Sequence, residues 1–447
     1  MLEGLHKAVW GPWLMGFFLT AGLLYTVRSR FFQFRGFAVW WRATAGSIFA
    51  KTCRQARREQ QKTACTALAA TVGTGNIVGV ATAIIAGGPG ALFWMWVSAA
   101  MGMMTAYAEV YLGVSSRFPG RSGAWLCGPF VYLERLAGKR GLALLYALLC
   151  VTASLGMGSM VQANSLAETA AYSFCLPPVW TAAVLVLVTA VIIRGGQKRI
   201  GEAAAGLVPV SAGIYLLFSG IVLFFCRDFL MESIREIFRE AFCVRSGAGA
   251  AAGWGMGKAV RYGMARGVFS NEAGLGSMAV LHGEAPGQDA SLQGMWAMFE
   301  VFFDTIVVCT VTGLVILCGR KAASGAPSSG AALASWCFSR VLGHFGGYVI
   351  SLSLMLFAFA TIIAWYYLGS QAAEYLLEKA NGRPGTFFGI YRVLYLASVC
   401  AGCLIPMGSV WLLSDIVNGL MALPNLTALF LLSAQVSFPQ SLDKKSR

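Results

Sequence analysis

Between Ala8 and Val27 the chain carries an apolar run as long as the roughly 20 residues a helix needs to cross a hydrocarbon layer ~30 Å thick. Comparable runs recur to the end of the sequence, separated by short polar connections. Inside a bilayer each unpaired backbone N–H or C=O costs several kcal/mol, so such a chain must satisfy its backbone within helices. Composition agrees: 57% of the 447 residues are hydrophobic and 12% charged, against about 25% charged in soluble domains. The mean hydropathy is +0.67. The sequence therefore predicts an all-α polytopic membrane protein with no sizeable soluble domain.

About eleven membrane helices are expected, near 8–27, 61–87, 90–116, 140–170, 178–193, 203–225, 252–281, 291–318, 346–378, 387–405 and 410–435. The first run lacks a small-residue cleavage site and is followed at once by Arg28, Arg30 and Arg35, which predicts a retained helix with its N-terminus outside. The net charge of +15 lies mostly in alternating connections rather than along one groove. That is the positive-inside pattern, with a cytoplasmic C-terminus, and it argues against nucleic acid as a partner. Residues Phe31–Ala50 mix aromatics with Arg35 and Arg42 and are expected to lie in the inner interface. Asp228, Glu232, Glu236 and Glu240 interleave with Arg235 and Arg239 at helical spacing, predicting an amphipathic surface helix. Arg320, Lys321 and Arg340 fall on the exterior side without an explanation in the sequence. The twelve cysteines are scattered singly and read as small buried hydrophobes, with no disulfide framework. His6, His282 and His344 lie in or near loops and are expected to be solvated.

Two spans are interrupted at mid-membrane by glycine-rich polar patches: Thr71-Val-Gly-Thr-Gly-Asn76 in 61–87, and Ser270-Asn-Glu-Ala-Gly-Leu-Gly-Ser277 in 252–281. The first resembles a dinucleotide loop on the page. Its third glycine, Gly79, comes one residue late, and no strand or soluble domain surrounds it. Each break is followed by a loop, a long helix and three further helices. This parses the chain as an extra N-terminal helix and interfacial segment (1–60), a first five-helix repeat (61–225), an exterior amphipathic connection (226–251), a second five-helix repeat (252–435) and a cytoplasmic tail (436–447). Broken helices in matching places are the best pointer in a sequence to the binding site of a secondary transporter.

Half-helix N-termini offer donors and positive dipole to a carboxylate, and half-helix C-termini offer carbonyls to a cation or an ammonium group. In the first break Thr74, Gly75 and Asn76 are the candidate carboxylate contacts, with the carbonyls of Ala69 and Val72 as cation ligands. Close helix packing by small residues is the alternative. In the second break the carbonyls near Phe269 and Ser270 suit an ammonium group, with Phe269 as an apolar wall. Glu272 and Arg266 are functional candidates or an internal ion pair. Gln162 and Asn164 are buried amides that need a partner, either substrate or a neighbouring helix. The α-helical spacing puts Ser159 and Gln162 on one face. Glu300 and Asp304, at i and i+4, share a face on which they could couple to a proton or sit beside the cation, or be buried hydrogen-bonded acids. Thr361 and Trp365, one turn apart, suit a cation ligand and a lid over a small side chain, or else a back-bonded threonine and a lipid-facing tryptophan.

The stretches ATVGTGNIVGVATAIIAGGPGALFWMWV, GMGSMVQANS, RYGMARGVFSNEAGLGS, MFEVFFDTIVVCTVTGLVIL and VNGLMALPNLTALFLL resemble the bacterial alanine or glycine:cation symporter family. The resemblance implies a leucine-transporter-type fold, five-helix inverted repeats after one extra N-terminal helix, and a place in the bacterial inner membrane. It further implies symport of a small neutral amino acid with sodium, sometimes protons, as the coupling ion and no other cofactor. It assigns Ala69, Val72 and Thr361 to a sodium site, and Asn76, Gln162 and Trp365 to the substrate pocket. The chain departs from the family pattern at Cys127–Tyr132, Ala106, Ser159, Ala364 and Ser370. A channel would want a ring of selectivity groups, and an enzyme a catalytic motif such as H-E-x-x-H or G-x-S-x-G. Neither pattern is present.

Overall fold

The computed structural model describes residues 2–49, 54–121, 123–242, 251–285, 287, 289–322, 325, 327, 330–380 and 384–439. Lys51, Arg383, Lys444, Lys445 and Arg447, which contribute to the expected charge pattern, lie outside these residues. Almost everything described is helix, as the hydropathy requires. Among the described residues seven helices are long and apolar enough to cross a membrane, or eight with one bent pair counted as a span.

α1 (Leu2–Val9) and α2 (Pro12–Arg28) form the first span, jointed at Gly11, where Pro12 starts the second helix. The span is fixed to the last long helix, because Tyr25 donates its hydroxyl to the Leu429 carbonyl at 2.6 Å. α3 (Phe32–Arg35) and α4 (Phe37–Ala43) follow, too short to span, with Phe31, Phe34 and Phe37 exposed. α5 (Arg54–Thr71) and α6 (Val78–Gly87) are the halves of the first broken helix, bent by 57°. α7 (Ala91–Ser116) is continuous. A two-stranded hairpin, β1 (Phe118–Pro119) with β2 (Trp125–Leu126), and α8 (Pro129–Arg135) fill the connection to the next span.

α9 (Arg140–Ala153) and α10 (Gln162–Phe174) form one long rod joined by a π-helical segment, Ser154–Val161. α11 (Pro178–Arg194), α12 (Gly196–Phe225) and the amphipathic α13 (Arg227–Ala241) come next. α14 (Ala251–Asn271) and α15 (Ser277–Leu281) are the halves of the second broken helix. α16 (Ala290–Val301) and α17 (Thr310–Ala322) again flank a π-helical segment, Phe302–Cys309. α18 (Gly330–Lys379) is kinked at Gly343, whose φ of +67° is open to glycine and strained for other residues. α19 (Pro384–Leu404) and α20 (Met407–Leu431) complete the bundle. α14 packs on α6 and α7, while α18 packs on α5, α9, α10 and α12, so both breaks lie in the interior.

Three expectations change. The stretch before residue 346 is not a plain connection, since helix begins at Gly330 and turns at Gly343. Of the unexplained cations, Lys321 lies 2.9 and 3.0 Å from Glu232 and Glu236, pinning α13 to the end of α17. Arg340 stacks over the Trp336 ring at 5.2 Å. The third change concerns His282, which is fully buried. The turn carrying it folds back against α16, where two polar side chains receive the imidazole.

Candidate functional site

In the first break the α-helical ladder stops because two side chains replace it. The Gly73 amide bonds to Asn76 Oδ1 at 2.9 Å and the Thr74 amide to Gln162 Oε1 at 3.2 Å. The Ala69 carbonyl, left without its in-helix donor, accepts the Thr361 hydroxyl at 2.8 Å. Gly73 is required by this approach: a Cβ there would stand 2.6 Å from Thr361 Oγ1. Thr74 Oγ1 is buried and has no hydrogen-bond partner among the described residues.

In the second break, α14 ends at Asn271. The Ala273 amide turns to Asn271 Oδ1 at 3.1 Å rather than continuing the helix, which releases the Phe269 carbonyl from the ladder. Glu272, Gly274 and Gly276 then take positive φ values of 55°, 91° and 81°. Two of the three are glycines, the residue that adopts this region without steric cost. The Phe269 ring lies over the first break, 3.3 Å from the position of a Gly75 Cβ.

Asp304 joins the two breaks. Its carboxylate accepts Asn76 Nδ2 at 2.5 Å, Ser270 Oγ at 2.8 Å and Thr305 Oγ1 at 2.8 Å. Asn76 also donates to the Asp304 carbonyl at 3.1 Å. Trp365 donates its indole N–H to Glu272 at 3.0 Å, and Ser277 its hydroxyl to the other carboxylate oxygen at 2.5 Å. Gly158 lets the π-helical segment approach Trp365, since a Cβ there would lie 2.4 Å from that side chain.

Thr74, Gly75, Asn76, Gln162, Phe269, Ser270, Trp365, Ala69, Thr361 and Asp304 are thus brought into one connected region. Val72 is buried at the same break. Two pairings expected from α-helical spacing do not form. Ser159 turns to Ser398 at 2.6 Å while Gln162 turns to the first break, because the π-helical turn between them carries an extra residue. Glu300 faces His282 whereas Asp304 faces Asn76, the π-helical segment beginning between the two acids. Asn164 donates to the Gly402 and Ile405 carbonyls, so a neighbouring helix supplies its partner. Arg266 and Glu272 are not an ion pair: Arg266 is bidentate to Asp415 at 3.0 and 2.8 Å and lies over the Phe269 and Trp411 rings, which pack on each other.

Thr305 and Cys309 belong to the Asp304 cluster and were not anticipated, since both sit in an unbroken apolar run. A second cluster was also missed. Asn425 donates to Glu109 at 2.5 Å and to the Gly274 carbonyl at 2.9 Å, and is hydrogen-bonded to Tyr132. Pro424 next to an asparagine inside an apolar helix was the available signal.

The fold matches the solved structure of MhsT in complex with L-phenylalanine, with a TM-score of 0.59 at 15% identity over 83% of this chain and 88% of that one. The chain is a helical bundle of the leucine-transporter-type fold, with two interrupted helices in its interior. The sodium:alanine symporter family model matches residues 1–441. The sodium/alanine symporter AgcS of Methanococcus maripaludis is 36% identical over 442 residues, 98% of this chain and 95% of that protein. An uncharacterised transporter of Haemophilus influenzae is 38% identical over 96% of this chain and 92% of its own length. The probable sodium/glutamine symporter GlnT of Bacillus subtilis is 33% identical over 96% and 87%. The chain belongs to the sodium:alanine symporter family, and its activity is cation-coupled symport of an amino acid across a membrane.

Proposed function

We propose that the protein carries alanine or glycine with sodium by alternating access, with protons as the alternative coupling ion. The observation that supports this reading best is the Thr74 hydroxyl, buried in the first break without a hydrogen-bond partner among the described residues. A buried polar group of this kind costs about 1–3 kcal/mol until something bonds to it. A substrate carboxylate at Thr74, Gly75 and Asn76 would do so. Its ammonium group would meet the carbonyls at Phe269 and Ser270, with Gln162 and Trp365 as walls. Sodium takes oxygen ligands from the Ala69 and Val72 carbonyls and Thr361, and Asp304 supplies negative charge beside the site. Sodium and substrate then stabilise each other's binding reciprocally, and the loaded five-helix bundles rock about the breaks.

The assignment of 61–225 and 252–435 as inverted repeats goes with this mechanism. So do residues 1–60 as an extra N-terminal unit, 226–251 as an exterior connection and 436–447 as a cytoplasmic tail. So does insertion in the bacterial inner membrane with the N-terminus outside and the C-terminus in the cytoplasm.

Purified protein in liposomes should take up labelled alanine or glycine down an imposed sodium gradient. Absence of uptake under both sodium and proton gradients would sink the reading. Competition by serine and glutamine in the same assay measures the substrate choice, since a relative at 33% identity is named for glutamine. Asn76→Ala should abolish the uptake, because it removes the side chain that both shapes the first break and binds Asp304.

A further inference from the structure

His282, Glu300, Gln293 and Gln60 form a buried polar cluster that none of the transport steps above uses. It lies where the turn after α15 meets α16 and α5. His282 Nδ1 is 2.9 Å from Gln293 Oε1, and His282 Nε2 is 3.2 and 3.3 Å from the two oxygens of Glu300. His282 and Glu300 are both fully buried. Gln293 and Gln60 exchange amide hydrogen bonds at 2.8 and 3.3 Å, so the cluster ties the second broken helix to the inner half of the first.

Counting hydrogens decides its protonation. An amide oxygen only accepts, so Nδ1 carries a hydrogen and donates it to Gln293. A neutral imidazole has one N–H, which would leave the Nε2 lone pair facing a carboxylate. Two acceptors at that distance away from water repel. The contact becomes attractive when one proton lies between Nε2 and the carboxylate, either on the ring as an ion pair or on Glu300 as a neutral acid.

We propose that His282 and Glu300 together bind one proton, and that this bound proton holds the turn after α15 and the inner half of α5 closed against α16. The site is separate from the sodium ligands and rests on the transport reading for its effect on turnover. The bound species is a proton from solvent. Its release restores the repulsion between Nε2 and the carboxylate and loosens the closure. A half-open cavity of about 260 Å³, lined in part by Glu59, Lys62, Leu281 and Glu284, brings solvent to the neighbours in sequence of Gln60 and His282.

The other charged and titratable groups around the pair are few. Cys65 on α5 and Glu272 in the second break are each coupled electrostatically to Glu300. Asp304 lies one turn further along and is engaged with Asn76. Glu284 accepts the Trp125 amide of β2 at 2.8 Å, and Arg117 at the end of α7 donates to the Gly283 and Ala285 carbonyls. Tyr107 of α7 packs on Gly294, and Glu109 of α7 is engaged with Asn425. α4 presents aromatic rings, with Trp41 against Phe299 at 6.0 Å. None of the hydrogen bonds of these groups competes for the shared proton.

The chain has three histidines, so 15N-histidine labelling gives three imidazoles to assign with His→Gln variants. In the wild-type protein the His282 signals should report the shared proton in acid and its loss as the pH rises through the range in which the pair titrates. In Glu300→Gln, whose amide donates to Nε2, they should report a neutral ring protonated at Nδ1. A neutral ring protonated at Nε2 throughout, beside an ionised Glu300 and with Gln293 turned over, overturns the proposal. This readout needs no transport, so it stands apart from failure of the symport reading. In liposomes under a fixed sodium gradient, wild-type uptake should rise severalfold as the inner pH rises through the same range. Glu300→Gln should transport with a flat profile. An unchanged pH profile in the variant overturns the coupling to closure.

Discussion

At the scale of single residues, the candidate site is built from side chains that take over the duties of lost backbone hydrogen bonds. Asn76 caps the Gly73 amide with its oxygen and holds Asp304 with its nitrogen, so one amide group both shapes the first break and ties it to the second. Thr361 does the corresponding work for the Ala69 carbonyl. Gly73→Ala would force α18 away from α5, since the new methyl meets Thr361 Oγ1 at 2.6 Å. The expected outcome is a rise of about tenfold or more in the sodium concentration for half-maximal uptake, of the order produced by losing one charge-assisted contact of ~1.4 kcal/mol. Uptake with unchanged sodium dependence would show that Thr361 and Ala69 do not ligate the ion. These residues were legible because glycine, threonine and asparagine are conspicuous in an apolar run. The role of His282 was not: its neighbours in sequence read as a loop, and its burial comes from the fold-back against α16.

At the scale of elements, the structure uses short clasps to set where long helices end. Burial opposes the charge on Glu134 in α8, but Lys379 at 2.7 Å and Tyr375 at 2.8 Å donate to its carboxylate and hold it below the usual value of 4.5. A depressed carboxyl contributes stability that is present above the ordinary value and lost as pH falls through the depressed one. Glu134→Gln should therefore lower the thermal midpoint at neutral pH by the equivalent of up to about 1 kcal/mol, as for a partly exposed pair. The difference from wild type should close in acid. A gap that widens in acid would mean that the pair is not what holds α8 to α18. The same use of charge explains α13, whose amphipathic spacing was readable in advance while its partner Lys321 was not. A contact between residues this far apart leaves no trace in local composition. The two π-helical segments were likewise hidden, because an apolar run shows the same letters whether its turns hold 3.6 residues or more.

For the whole molecule, hydropathy alone gave the class of fold, and the two glycine-rich patches located the helix breaks around which the candidate site is built. What sequence reasoning lacked was the phase of the long helices. α-Helical spacing put Ser159 with Gln162 and Glu300 with Asp304, and in both cases a wide turn sends the two residues to different partners. The wide turn at Phe302–Cys309 also sets the angular position of everything after it in α17. The same residues wound as regular α-helix, without the wide turn, would rotate the rest of that helix by about 100°. Thr312, which meets Tyr215, and Lys321, which holds α13, would then both point elsewhere. The wide turn thus acts like a shift of reading frame in three dimensions, and a substitution that straightened this short apolar stretch would misdirect side chains several turns away.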